Sequence, residues 1–470
     1  GDLKTANFFT TLNLNTTEKF KLYQEGWHDQ TQAIFANVEV GWRSMLYLTL
    51  TGRNEWPSML AYSKQSSFFY PSVGLSGVIS NMVDLPDWFS FLKVRASYAQ
   101  VASAFDRYLS NPSYTYVEQS HGWKAPATYP NNDLRPEDTR SWEIGVNARF
   151  LNKFNLDVTY YRSNTYHQTI YMPLASSTGY ENYAAQTGNV RNQGVELAVG
   201  YNNKWGDFRW GTNFTYTFNE NKIMELVHGM INPITGVAED LTEIKKDWLG
   251  ASDVAPRVIL REGGSLSDIY VNHQLARDLN GNILISNTGA LSMEEIEARK
   301  VGSLAPKCNL GWSNNFAWKG IDLGVVFTAR IGGMAYSATQ GILDYYGVSE
   351  ATAAARDRGG IPINYGSVSP QTYYQTISSA EGGHGAYYLY DATNVRLQEL
   401  NLSYTLPQKW FRNKAKLTLG FVARNLWMIY CKAPFDPEIS AATGSNYYQN
   451  VDYFMLPSTR NLGFNIKLQF

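Results

Sequence analysis

Aromatic and acidic side chains are concentrated in long segments that separate strand-like stretches of this chain. The residues best suited to contact a ligand are Trp248, Asp344, Tyr345, Tyr346, Tyr373, Tyr374, Tyr387 and Tyr388. Aromatic faces stack on sugar rings or on peptide side chains, and neighbouring carboxylates orient a ligand through hydrogen bonds. The same aromatics could instead pack the loops against each other. The sequence leaves both interpretations open.

Motifs for bond-making chemistry are missing from the sequence. It contains no G-x-S-x-G, no H-E-x-x-H and no P-loop, and its 6 His have no metal-ligand spacing. The segment Asp278–Asn282 (DLNGN) is predicted to be a hairpin turn, since no Glu follows at the distance a calcium loop needs. Asp268, Asp278, Asp436 and Glu438 are expected to be solvated loop acids. The sequence therefore predicts no enzyme, no metal and no cofactor.

Composition favours an aromatic-rich β protein. The 470 residues are 44% hydrophobic, 17% charged and 14% aromatic, and the net charge of −1 gives no basis for binding nucleic acid. The two cysteines, Cys308 and Cys431, are far apart and are expected to be incidental thiols. No stretch approaches the roughly 18 consecutive apolar residues of a membrane helix. Any contact with lipid must therefore be made by strands.

The elements that would position the loop residues are strands with one apolar face. The last segment, NLGFNIKLQF, places an apolar side chain at every second position from Leu462 to Phe470. About thirteen such segments recur along the chain, each near the length of a membrane-spanning strand. The sequence predicts an all-β fold, an antiparallel transmembrane β-barrel with long extracellular loops.

Charges and connections follow the same rule. Charged residues within the segments fall on the phase opposite the apolar one; only Arg162 and Arg396 depart from this, and Asn314 is a polar residue on the apolar phase. A charge facing lipid at mid-depth costs about 2–4 kcal/mol, which explains the pattern. Short links alternate with long ones, as in outer-membrane barrels whose long loops face outwards. Aromatics near segment ends, such as Trp88 and Trp318, are expected to form an interfacial girdle.

Two loop segments are predicted to be helical. Ser292, three residues before Glu295, forms a capping-box pattern for a short helix through Ala298. The segment Val348–Arg356 is rich in alanine, a strong helix former.

Several segments, in this order, resemble one family. TGRNEW, FFYPSVGLSGVIS, LRPEDTRSWEIGVNARF, TGNVRNQGVELAVG, REGGSLSDIYV, NVRLQELNLSYTLP, ARNLW with FDPE, and LPSTRNLGFNIKLQF are similar to the carboxyl-terminal half of SusC/RagA-like TonB-dependent transporters. The resemblance covers the chain from about residue 30 to Phe470.

The resemblance implies a 22-stranded barrel in a Gram-negative outer membrane, blocked by a plug and opened by the TonB complex. It also implies a SusD-like surface lipoprotein as a lid. On this basis residues 1–470 are expected to be the carboxyl-terminal part of the barrel, without plug domain or TonB box. Terminal Phe470 resembles the aromatic end that assembly machinery recognises.

Three functions are compatible with these patterns. The favoured one is TonB-dependent import of oligosaccharides or oligopeptides across the outer membrane. The second is a passive porin or a barrel that serves as a platform for surface assembly. The third is a soluble β-rich carbohydrate-binding protein.

Overall fold

The computed structural model describes residues 4–8, 13, 27–117, 122–186, 188–232, 234–246, 254–363, 366–438 and 450–470. Its main element is one 13-stranded antiparallel sheet in which every strand pairs with the next one along the chain. The strands are β1 (Thr31–Trp42), β2 (Leu46–Pro57), β3 (Phe68–Val78), β4 (Phe89–Ser103), β5 (Glu137–Phe150), β6 (Phe154–Tyr166), β7 (Asn189–Trp205), β8 (Phe208–Glu225), β9 (Cys308–Trp318), β10 (Ile321–Ile331), β11 (Asn394–Thr405), β12 (Lys416–Cys431) and β13 (Asn461–Gln469). The predicted all-β fold and the strand number are confirmed.

The sheet has one apolar and one polar face. Large apolar side chains on the apolar face are exposed: Ile34 is 71%, Phe464 84% and Ile466 74% exposed. The polar face carries ion pairs, such as Arg95 Nη2 to Asp157 Oδ1 at 3.0 Å. Because exposed apolar side chains are favourable only against an apolar solvent, the first face suits lipid and the second suits water.

Connections alternate in length along the sheet. The turns at one end are short, at residues 43–45, 79–88, 151–153, 206–207, 319–320 and 406–415. The connections at the other end include 104–136, 226–307 and 332–393. The predicted sorting of loop lengths is therefore present.

Aromatic rings line the short-turn end. Contacts run from Phe150 to Phe154 (centroids 5.2 Å apart), from Phe154 to Tyr201 (4.8 Å) and from Tyr201 to Trp210 (5.3 Å). Trp210 stacks in turn on Phe316 at 6.3 Å. These rings lie on consecutive strands near the short turns, where a ring body is apolar and its edge can meet water. The interfacial girdle of residues such as Trp88 and Trp318 stays a prediction.

Arg396, which departs from the charge pattern in the sequence, lies on the polar face. In the pairing of β10 with β11 the register shifts between Val326 and Phe327, so that Gln398 is skipped. Arg396 therefore pairs opposite Thr328, on the same face as the other charges. A β-bulge inserts one residue and reverses the alternation beyond it.

Asn314 does lie on the apolar face, but its polar atoms are covered. Only 5% of the residue is exposed, and the indole Nε1–H of Trp210 donates to its Oδ1 at 3.2 Å. On the same face, Trp312 Nε1–H donates to Thr212 Oγ1 at 2.9 Å. Two tryptophans thus satisfy the polar groups that this part of the sheet presents.

The long connections fold into a cap over one end of the sheet. The cap contains helices α1 (Ala338–Tyr345), α2 (Glu350–Asp357) and α3 (Pro370–Ile377), together with short strands. Its larger strands are Glu243–Lys246, Arg257–Arg261, Asp268–Leu275 and Met293–Ser303, which form a four-stranded sheet. Further short strands are Thr115–Val117, Gly122–Lys124, Thr128–Tyr129, Thr169–Pro173, Asn182–Gln186, Val227–Ile231, Ala238–Leu241, Met334–Ser337, Ile361–Ile363, Gly366–Val368, Ser378–Ser379, Gly382–Gly383, Leu389–Asp391 and Val451–Asp452.

The cap has its own hydrophobic core. Leu226, Val258, Ile269 and Leu275 are almost fully buried there, and Val190 of β7 continues the cluster onto the sheet. A cap with a buried core holds its surface side chains in fixed positions. None of the helices in the described part of the chain is long and apolar enough to cross a membrane.

One helix prediction is confirmed and one is wrong. Helix α2 overlaps the alanine-rich segment and ends one residue beyond it, and the Ser349 side chain accepts a hydrogen bond from Thr352 N–H at its start. The predicted helix from Ser292 to Ala298 is instead part of the strand Met293–Ser303, which pairs with Asp268–Leu275. Burial of Met293 and its neighbours against the cap core overrides the local capping pattern.

Two acids expected to be solvated are buried. Asp268 is 2% exposed and pairs with Lys300 Nζ at 2.5 Å. The Asp436 side chain is 8% exposed and binds Arg396. The expectation was wrong because each acid has a cation on a neighbouring strand, which the sequence does not place beside it.

Candidate functional site

Three short helices of the cap enclose a groove. Each helix begins at a serine whose hydroxyl accepts from a backbone N–H: Ser337 from Gln340, Ser349 from Thr352 and Ser369 from Thr372. Such N-caps contribute about 1 kcal/mol each and fix where a helix starts. The starts and ends of the helices therefore position the residues around the groove.

The groove has a volume of about 430 Å³ and is lined by rings and amides. Tyr345 and Tyr346 meet edge to face with centroids 5.1 Å apart, and Tyr346 is 63% exposed. Gln371, Gln375 and Arg356 also line the groove, and Gln375 Nε2 donates to the Tyr345 carbonyl at 3.5 Å. Rings offer stacking surfaces and amides offer both donors and acceptors, so this lining suits a neutral polar ligand with flat faces.

Arg356 is partly committed to the fold. Its Nη1 donates to the Gly347 carbonyl at 2.9 Å, which ties α2 to the end of α1. The remaining guanidinium N–H groups face an exposed surface and can donate to a ligand oxygen.

Asp344 and Tyr388, both predicted to contact a ligand, contact each other inside the cap. They are 4% and 2% exposed, and the Tyr388 hydroxyl donates to Asp344 Oδ2 at 2.9 Å. Asp344 Oδ1 also accepts from Gln340 Nε2 at 2.8 Å and from Ser349 Oγ at 2.5 Å. Burial and the Asp344 carboxylate raise the pKa of the Tyr388 hydroxyl. Asp344 lines the groove, and Tyr388 supports it from inside the cap.

Tyr373, Tyr374 and Tyr387 are partly buried and pack against the cap core. The Tyr387 hydroxyl accepts from the backbone N–H of Leu275 at 3.1 Å. Trp248 lies outside the described residues. The structure thus brings Tyr345 and Tyr346 together on the groove and places the other described tyrosines behind it, as the packing alternative requires.

The groove residues that sequence reasoning missed are Arg356, Gln371 and Gln375. The available signal was a serine directly before each helical segment, a preferred N-cap residue. It predicts three helix starts close together in the chain. Glutamines on such helices carry no signal of their own.

The polar face of the sheet forms a second concave surface, with a pocket of about 480 Å³. One row across β7 to β11 alternates amide and glycine: Asn202, Gly211, Asn315, Gly324 and Asn401. A Cβ on Gly211 would lie 2.6 Å from Asn202 Oδ1, and one on Gly324 would lie 3.2 Å from Asn315 Oδ1. The glycines therefore let the amides lie flat on the wall.

The remaining predicted residues are placed as follows. Cys308 and Cys431 are both free thiols. Phe470 follows β13 and is 98% exposed, and its role as an assembly signal stays a prediction. Among the described residues there is no group of three or more His, Cys, Asp or Glu that could hold a metal ion.

Comparison with known proteins identifies relatives of this fold. The sequence profile described as "TonB dependent receptor-like, beta-barrel" matches residues 2–249. The chain is 22% identical over 460 residues to "TonB-dependent receptor P3" of Formosa agariphila, covering 93% of this chain and 45% of the relative. It is 27% identical over 233 residues to "TonB-dependent receptor P39" of the same organism, covering 48% and 22%.

Two solved structures are similar in fold over almost the whole chain. "Structure of the RagAB peptide transporter" matches with a TM-score of 0.73 and 19% identity, covering 99% of this chain and 51% of the other. The RagAB peptide importer in its "closed-closed" state matches with a TM-score of 0.74 and 18% identity, with the same coverage. The chain spans about half the length of these relatives.

Proposed function

Because this chain belongs to the TonB-dependent receptor-like β-barrel family, we propose that it supplies part of the wall and the cap of an active importer. Barrels of this family lie in the outer membrane of Gram-negative bacteria, and they work by transport rather than by bond-making chemistry. This location contradicts the hypothesis of a soluble carbohydrate-binding protein.

The cargo we propose is an oligosaccharide or an oligopeptide, captured in the groove between α1, α2 and α3. The observation that carries this is the lining: the exposed ring of Tyr346 and the amides of Gln371 and Gln375, beside an Asp344 carboxylate whose two oxygens already accept hydrogen bonds from the cap. A volume of about 430 Å³ falls in the range of ligand clefts.

The partners we propose are a SusD-like lipoprotein lid over the cap and the TonB complex on the periplasmic side. The lid proposal is supported by apolar side chains beside α1: Tyr453, Phe454 and Leu456 are 48%, 54% and 87% exposed. Phe454 N–H donates to Thr339 Oγ1 of α1 at 2.6 Å, so this segment is fixed next to the groove. Energy coupling would need a plug and a TonB box, which we propose belong to the same receptor.

The test is purification of the native complex, with mass spectrometry of the copurified protein and ligand. A lipoprotein and an oligosaccharide or oligopeptide should copurify. Replacing Tyr346 by Ala should lower the retained ligand by about threefold to tenfold, because a stacking ring is lost. The matched control is Tyr62→Ala, which removes a ring that is 72% exposed in another loop. Equal retention in both variants would contradict the groove as the capture site.

A further inference from the structure

Two neighbouring short turns form a basic and aromatic surface. We call it the basic turn patch: Trp318, Lys319, Lys409, Trp410, Arg412 and Lys414. Trp318 is the last residue of β9, Lys319 lies in the β9–β10 turn (319–320), and the other four lie in the β11–β12 turn (406–415).

The two turns are held together by backbone contacts. Thr405 N–H, at the end of β11, donates to the Gly320 carbonyl at 2.7 Å. Gly320 has φ +89°, and a Cβ there would lie 2.7 Å from Thr405 O. Only glycine permits this turn and this approach, so the β9–β10 turn lies against the end of β11, from which the β11–β12 turn begins.

The longer turn is itself ordered. Gln408–Phe411 form one turn of 3-10 helix, Arg412 follows in the left-handed region, and Lys414 N–H donates to Phe411 O at 3.0 Å. Lys409, Arg412 and Lys414 are all exposed. Their positive charges are therefore presented from a fixed backbone.

The patch has a local excess of positive charge, with four cations in the two turns against Asp207 and Asp322, which line the same pocket as Lys319. The two turns contain Lys319, Lys409, Arg412 and Lys414 and no Asp or Glu. Within the described chain, none of these four side chains makes an ion pair with an acid.

The other short turns lack this excess. They hold the cations Arg43 and Lys153 and the acids Asp84, Asp87 and Asp207. Positive charge at the short-turn end is therefore concentrated beneath β9 to β12.

Tryptophans mark the boundary between the patch and the apolar face. Trp318 is 52% and Trp410 63% exposed, and Lys319 Nζ lies 5.4 Å from the centroid of the Trp318 ring. Directly above, Leu402 and Leu419 continue the apolar face at 45% and 43% exposure. Tryptophan beside cations at the edge of an apolar surface is the arrangement that suits a lipid headgroup region.

We propose that the basic turn patch binds the headgroups of anionic phospholipids in the inner leaflet of the outer membrane. The proposal rests on the barrel's place in that membrane, with its short turns on the periplasmic side, and not on import. The four cations complement headgroup phosphates, while the two indoles lie at the level where acyl chains begin.

The test uses the full receptor in nanodiscs of phosphatidylglycerol and phosphatidylethanolamine. After partial delipidation in detergent, native mass spectrometry counts the retained lipids. The double variant K409Q/K414Q should lose phosphatidylglycerol relative to phosphatidylethanolamine by about fivefold or more. The matched control R43Q/K153Q removes the same charge from other turns and should retain the lipid.

Each other outcome overturns the proposal. Equal loss in both double variants would mean that the general charge of the rim, and not the patch, holds the lipid. If K409Q/K414Q retains its lipid but loses a copurified acidic periplasmic protein that the control retains, the patch binds a protein partner instead. Heat-modifiable migration on gels verifies that every variant is a folded barrel. Because the readout is bound lipid, it is independent of cargo uptake.

Discussion

Arg396 shows how one residue can connect distant segments of this chain. Its side chain is 3% exposed and pairs with Asp436, while its Nε donates to Asn394 Oδ1 at 3.1 Å. Asp436 also accepts from Ser458, just before β13. The buried guanidinium thus attaches Asp436 to β11, and Asp436 in turn holds Ser458 near the other end of the last long loop.

Replacing Arg396 by Met should destabilise the folded receptor by about 3–5 kcal/mol, because Asp436 is left buried without its partner. The double variant R396M/D436L should recover much of that loss. Thermal unfolding of the detergent-solubilised receptor measures both. R209Q, which breaks an exposed pair with Asp322, serves as the control and should change stability by about 1 kcal/mol at most. A similar loss in R209Q would contradict the assignment.

The same pair predicts a dependence on pH. Burial by itself would raise the pKa of Asp436, but the hydrogen bonds from Arg396 and Ser458 outweigh it and hold the pKa below its ordinary value. A carboxyl with a lowered folded-state pKa stabilises the fold above its unfolded pKa, and the stabilisation is lost as pH falls through the folded value. The difference in stability between the wild type and R396M should therefore shrink in acid.

At the scale of the element, the strands are specified by alternation and by glycine. Apolar residues on one phase meet lipid, and on the other phase glycines make room for the side chain of the next strand. A Cβ on Gly145, for example, would lie 2.6 Å from Arg95 Nε. Arg95 instead lies along the wall and donates to Asp157 and Thr159. The inner surface is thereby polar without being crowded.

Adjacent residues of β11 test this assignment of faces. Leu400 pairs with Val325 and Ala423 on the apolar face, whereas Asn401 pairs with Gly324 on the polar face. Leu400→Arg should cost about 2–4 kcal/mol and sharply lower the amount of receptor assembled in the membrane. Asn401→Arg, which places its cation near Glu399, should assemble normally. Membrane fractions probed for heat-modifiable receptor give the comparison. Equal loss in both variants would contradict this assignment of faces, and greater loss in Asn401→Arg would mean that the faces are reversed.

At the scale of the whole molecule, a lipid-facing wall and a folded cap are parts of one chain. The cap core reaches onto the sheet through Val190 and Ile223, so the groove is held at a fixed position above the polar wall. A passive porin needs no such capture surface, although a platform for surface assembly could use one. An active importer is therefore distinguished from a porin or an assembly platform by whether uptake requires energy from the inner membrane.

Uptake of the copurified ligand should stop when the inner membrane is de-energised by an uncoupler or when TonB is deleted. An active importer needs that energy to open, whereas diffusion through a porin does not. Accumulation of labelled ligand by whole cells measures it, and ligand binding at the cell surface should be unchanged. Uptake that continues without TonB would favour the porin, and absence of any uptake would favour the assembly platform.

The sequence by itself determined the sheet. Strand number and facing follow from period-two alternation, because lipid on one side and water on the other select each side chain by its position along the strand. Loop sorting follows from the lengths of the links, and the family resemblance rests on the order of the quoted segments. This selection acts on each residue according to its position along the strand, so the facing of a side chain can be predicted from the sequence alone. The departures at Arg396 and Asn314 could not be resolved in this way, since a bulge and a covering indole depend on neighbouring strands.

Only the tertiary structure decided the cap. Asp344 and Tyr388 are far apart in sequence, and each was predicted to be a loop residue that contacts a ligand. In the structure they are hydrogen-bonded to each other inside the cap. The segment after Ser292 reads as a helix, yet it is a strand because its partner strand and the core favour that conformation. Contacts between distant segments fix which tyrosines are buried and which line the groove, and the energy of such contacts exceeds any local preference.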